Sequence, residues 1–187
     1  MAFEEIMLVG CVVGLVLVVL IYVVMAYNRL VTLRNRVDEA WAQIDVQLKR
    51  RYDLIPNLLE TVKGYMKHEK ETLENIAKYR SQIVSGSVEE RGKANNMLTQ
   101  ALKSVFAVAE NYPKLEASQN FKMLQEELAG TENKIAYIRT AYNDSVLEYT
   151  NSTQLFPGSI IANMFGFKSK AYLETPGEQR EAPKVKF

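Results

Sequence analysis

The chain has 187 residues, 23 Lys and Arg against 22 Asp and Glu, one histidine and one cysteine, for a formal net charge of +1. That balance lacks the basic footprint of a nucleic-acid binder. A lone Cys11 rules out a disulfide within the chain. The nine glycines and five prolines punctuate long segments, which favours helices.

The first element is an apolar, charge-free run from Ile6 to Ala26, with Asn28 and Arg29 just beyond it. As a helix it is ~30 Å long, about the thickness of a bilayer's hydrocarbon core. The start, Met1-Ala2-Phe3-Glu4-Glu5, is acidic, and no A-x-A pattern follows the run. The run therefore reads as an uncleaved anchor over 6–27 and not as a signal peptide. No Lys or Arg precedes it, whereas Arg29, Arg34, Arg36, Lys49, Arg50 and Arg51 follow. The positive-inside rule then places residues 1–5 outside and the rest in the cytoplasm. Tyr22 and Tyr27 suit the inner headgroup boundary.

About 160 residues follow the anchor, enough for one domain with a modest core. Leu30, Leu33, Val37, Trp41, Ile44, Leu48, Tyr52, Ile55, Leu59, Val62 and Met66 recur by threes and fours, the spacing of one helix face. No turn signal separates this stripe from the anchor, so one helix joins domain and membrane rigidly. Pro56 falls inside the stripe and predicts a kink. The run Lys67 to Glu71 is polar, and Leu73, Ile76, Arg80 and Ile83 resume a weaker pattern. A reversal at 64–71 gives four helices; a straight passage to Val84 gives three.

Ser85-Gly86-Ser87 is a loop, and Ser87 with Glu90 has capping-box spacing. The next stripe, Ala94, Leu98, Leu102, Val105, Ala109 and Tyr112, ends at Pro113. The last long helix opens near Ser118 and carries Phe121, Leu124, Leu128, Thr131, Ile135, Ile138, Tyr142, Ser145 and Tyr149. Their spacing averages about 3.5, that of a coiled-coil seam. With no strand-like alternation anywhere, the fold is all-α: a transmembrane helix continuing into an elongated antiparallel three- to four-helix bundle over 28–155. A short apolar C-terminal element follows over 156–173, then a polar tail over 174–187.

Catalytic chemistry is missing from this pattern. His68-Glu69-Lys70-Glu71-Thr72 lacks the second histidine of a zincin, and Tyr65 stands where a di-iron bundle would need Glu. There is no G-x-S-x-G, Walker loop or G-x-G-x-x-G, and Cys11 lies within the lipid span. We expect no enzyme activity, no metal, no cofactor and no small-molecule substrate.

Three features are candidates for interactions. Arg50, Arg51, Asp53 and Asn57, with Asp45 and Lys49, form a dense polar patch. It is either a solvated face with pairing such as Asp45 to Lys49, or a buried network or subunit contact. Glu132, Asn133 and Asn143 form a second cluster, for which Arg50 or Arg51 is the obvious cross-helix partner. The third is the Phe156–Phe167 segment with Ile160, Ile161, Phe165 and Phe167, followed by Lys168 and Lys170. It packs on the bundle, lies on the membrane surface or meets a neighbouring subunit.

Tyr27-Asn28-Arg29-Leu30-Val31, Ala40-Trp41, Ile44 to Arg51, Asp53-Leu54-Ile55-Pro56-Asn57-Leu58 and Glu60 to Tyr65 together resemble the LemA family signature. So do Ala109-Glu110-Asn111-Tyr112-Pro113, Leu124 to Leu128, Thr131 to Ala136, Tyr142-Asn143 and the Phe156-Pro157…Phe165-Gly166-Phe167 ending. The likeness runs collinearly from residue 27 to about 173. It implies a bacterial, single-pass inner-membrane protein with a cytoplasmic helical domain and no family catalytic residues to carry over. Family members are linked to membrane proteases of the HtpX and FtsH types, and a relative in magnetotactic bacteria to magnetosome membranes. Two functions follow as expectations. One is a homo-oligomeric scaffold that organises or shapes the membrane; the other is an adaptor or modulator of such a protease.

Overall fold

A computed structural model describes residues 2–66 and 68–174, without the side chains of residues 2–4 and 6. Except for Glu174, the expected polar tail lies outside the described residues, as does Lys67. The described residues form α1 (Ala2–Lys63), α2 (Lys70–Gln82), α3 (Val88–Ala109), α4 (Pro113–Glu116), α5 (Gln119–Gln154) and α6 (Gly158–Met164). No strand occurs among them.

The expected continuity of anchor and stripe holds: α1 is one helix, and it runs through Pro56 without ending. It stops at Lys63, where Tyr65 and Met66 both donate their backbone N–H to the Val62 carbonyl, at 3.0 and 2.9 Å. The chain then reverses into α2, which decides for four long helices. The capping box of α3 is complete: Ser87 accepts from the Glu90 N–H, and the Glu90 carboxylate accepts from the Ser87 N–H. Pro113 does not itself terminate α3. The helix ends at Ala109, and Pro113 opens the single turn of α4, where its missing N–H is not needed.

The chain divides into two compact units. Of the described residues, those in 2–39 and 144–170 form one, and those in 40–143 and 171–174 the other. In the first, the side chains of Met7 to Ile21 are exposed, as expected of a lipid-facing helix. Leu30 packs with Ile161 and Ala162, flanked by Val23, Ala26 and Phe167. Gly158 lets α6 start hard against the end of α5, because a Cβ there would lie 2.4 Å from the Ser152 carbonyl oxygen.

In the second unit, α1, α2, α3 and α5 form a four-helix bundle. Arg80 of α2 donates to the Tyr52 carbonyl at 2.8 Å and lies 3.8 Å above the Tyr52 ring, fixing α2 against α1. Trp41 meets Tyr142 edge-on at 6.0 Å. Together with the pairing of Arg51 to Glu132, this sets α5 antiparallel to α1.

The core is slightly out of phase with the apolar stripe read from the letters. On α1 the buried positions here are Ala40, Ile44, Leu48, Arg51, Ile55, Leu58 and Val62, with Met66 buried just beyond its end, while Trp41, Tyr52 and Leu59 are half-buried flanks. Along α5, Arg139 and Val146 are buried where Ile138 and Ser145 were expected. The helical period carries charged residues inward at positions where the sequence offered an apolar neighbour.

Candidate functional site

Arg51 sits on the inward face of α1 between Leu48 and Ile55, one turn from each, so the 3.6-residue repeat drives it into the bundle. Only 1% of it is exposed. Its Nη1 donates to Asn95 Oδ1 at 2.5 Å and Thr99 Oγ1 at 3.1 Å on α3, and to Glu132 Oε2 at 2.5 Å on α5. Thr99 in turn donates to Glu132 at 2.9 Å. Among the described residues, Arg51 Nε and Asn95 Nδ2 are buried without a hydrogen-bond partner.

A second guanidinium lies two turns further along α5. Arg139 donates to Asn96 Oδ1 at 3.1 Å and to the Glu174 carbonyl at 3.5 Å, and Asn96 also reaches that carbonyl. Burial pushes both arginines below their ordinary values, and Glu132 opposes the shift at each. One carboxylate thus stabilises two sequestered cations. A buried pair of this kind adds little to stability compared with an apolar layer, but losing one partner is costly because it leaves the other charge buried and unpaired.

The other patch residues divide. Arg50 reaches across to Glu127 of α5 on the surface. Asp45 does not pair with Lys49 as expected; it pairs with Arg91 of α3, whose guanidinium also lies 5.0 Å above the Trp41 ring. Lys49 pairs instead with Asp53 at 3.2 Å, a solvent-screened contact. Asn57 and Asn133 are exposed. Of the second cluster, therefore, Glu132 alone meets Arg51. Asn143 is a clasp of another kind: its Oδ1 accepts from the Leu173 N–H at 2.9 Å and its Nδ2 donates to the Leu173 carbonyl at 3.0 Å. The C-terminal segment is further held by the Tyr142 hydroxyl, which donates to the Ala171 carbonyl at 2.9 Å. Asn95, Thr99, Arg91 and Arg139 escaped the sequence reading. The signal for Asn95 and Arg139 was their position in phase with buried apolar neighbours.

In the first unit α6 is two-faced. Ile161 and Ala162 are buried against Leu30, and Phe167 is half-buried beneath the Arg34 guanidinium at 5.5 Å. The ring of Tyr27 meets Phe165 at 4.9 Å and Phe167 at 5.7 Å. Ile160 and the outer side of Phe165 remain exposed, together with Leu155, Phe156 and Met164. His68 is exposed, and no group of three or more His, Cys, Asp or Glu side chains able to hold a metal exists among the described residues.

These features define a helical protein with a membrane-anchor segment and a polar-cored bundle. The LemA family model matches residues 40–187, and the chain belongs to that family. It is 23% identical to Protein LemA of Metamycoplasma hominis, with 82% of this chain and 71% of the relative covered. It is 24% identical to Magnetosome protein MamQ of Magnetospirillum gryphiswaldense, covering 79% of this chain and 64% of that protein. Magnetosome protein MamQ 2 of Paramagnetospirillum magneticum is also 24% identical, covering 80% of this chain and 65% of its own. The chain thus spans just under two thirds of the MamQ proteins. None of these names denotes an enzyme.

Proposed function

We propose that this protein is a non-enzymatic, single-pass inner-membrane scaffold whose cytoplasmic helical domain self-assembles and so organises or shapes the bilayer. The carrying observation is that α1 exposes an apolar surface from Met7 to Met25, with the apolar outer face of α6 beside its inner end. Contiguous apolar surface of this extent is used for lipid or for lateral association. Arg29, Arg34 and Arg36 follow the span, supporting an external N-terminus and a cytoplasmic domain. Likeness to proteins named for the magnetosome supports a membrane-associated role.

A second reading is an adaptor or modulator of a membrane protease of the HtpX or FtsH type. It is favoured by an apolar groove of about 460 Å³ in the helical bundle, lined by Leu59, Met66, Leu73 and Ala77. Amine crosslinking of intact membranes, followed by affinity purification, separates the two. A ladder of self-crosslinked species supports the scaffold. A single protomer band with a protease recovered in near-equal amount supports the adaptor.

A further inference from the structure

Where the apolar part of α1 ends, the first unit encloses a groove of about 640 Å³, lined by Tyr22, Met25 and Arg29 of α1 and by Glu148, Leu155 and Phe156 at the far side. Its volume is that of an ordinary small-molecule site. We propose that this groove binds one phospholipid of the inner leaflet, phosphate against Arg29 and acyl chain between Met25 and the Leu155–Phe156 corner. The inference rests on α1 being a membrane span.

Depth is the first argument. Tyr22 to Arg29 covers ~10 Å along the helix, the distance from the acyl region to the phosphates of one leaflet. The groove's polar end and apolar end are ordered in that same direction. Exposure is the second. Phe156 is 81% exposed and Leu155 is 64% exposed, yet both border a surface that meets lipid. Aromatic and aliphatic side chains so placed belong at the headgroup boundary.

Charge is the third argument. Arg29 has no ion-pair partner among the described residues. Glu148, the acid on the rim, lies 3.6 Å from Arg36. With Glu148 already paired to Arg36 outside the groove, the Arg29 guanidinium is left to meet a phosphodiester. Exposed Lys168, just past Phe167, adds a second cation on the same unit. A leaflet lipid can reach this groove along α1 without leaving the bilayer.

The test uses the full-length protein in mild detergent, with 1-palmitoyl-2-oleoyl-phosphatidylglycerol titrated into the micelles and adducts read by native mass spectrometry. The first adduct should form at one lipid per protomer. Arg29→Gln, which removes the phosphate partner, should weaken it about tenfold. Asn151→Trp, at an exposed rim position, should fill the groove and weaken it comparably. Equal adducts on wild type and variants, or none on wild type, would overturn the proposal. So would a dimer mass that replaces the adduct and depends on Phe156, since a second copy would then occupy the groove. Carbonate extraction of the same membranes keeps the readings apart. Retention in the pellet without an adduct defeats the lipid site alone; release defeats the anchor and the site with it.

Discussion

Arg51 of α1 and Glu132 of α5 meet at 2.5 Å inside the bundle, with the arginine almost wholly withdrawn from water. Breaking a buried pair from one side leaves an unpaired charge in a low-dielectric site. Arg51→Met and Glu132→Leu are each expected to destabilise the helical unit by about 3 kcal/mol, whereas the two replacements together should cost clearly less than the sum. Chemical denaturation in detergent micelles, followed by far-UV circular dichroism, measures this. Additive losses would show that the two residues act independently.

Asn143 holds both backbone groups of Leu173. Its replacement by Ala removes two hydrogen bonds, a loss of about 2 kcal/mol for the docked segment. The amide of Leu173 should then exchange its hydrogen much faster, while amides in the middle of α5 are unchanged. Unaltered exchange at Leu173 would mean that Tyr142 and neighbouring packing suffice to hold the segment.

At the corner of α5 and α6, Gly158→Ala places a methyl group against the Ser152 carbonyl oxygen. Overpacking of this kind costs about 1–3 kcal/mol. The expected readout is faster proteolytic cleavage near 155–158 with the content of the long helices preserved.

Glu90 is held below the ordinary glutamate range, first by its hydrogen bond with the Ser87 backbone, then by that with the Ser87 side chain. Because the folded value is depressed, its stabilising contribution is present above the unfolded value and is lost as pH falls through the folded one. Carboxyl carbon NMR should show Glu90 titrating below the ordinary glutamate value. Ser87→Ala should bring it back toward the ordinary value and loosen the first turn of α3.

Much of this architecture is written in the letters. The uncharged run, the threes-and-fours spacing and the Ser87–Glu90 signal each correspond to one local physical cause, so anchor, helices and cap are all legible. The reversal after Lys63 is not, because a polar run such as 67–71 suits a turn and a solvated helix equally. The buried layer was half legible. Arg50 and Arg51 stand adjacent and chemically alike, and only the phase set by Leu48 and Ile55 sends one to Glu127 at the surface and the other to Glu132 inside. The Asn143–Leu173 clasp joins a side chain to a distant backbone and leaves no periodic trace.

Self-association is the centre of this account, and the molar mass of the detergent-extracted full-length protein tests it most directly. Multi-angle light scattering, with the detergent contribution subtracted, should give a protein mass several times that of one chain, persisting on dilution. A mass equal to a single chain at all concentrations, with no self-crosslinking in the parent membranes, would contradict the scaffold.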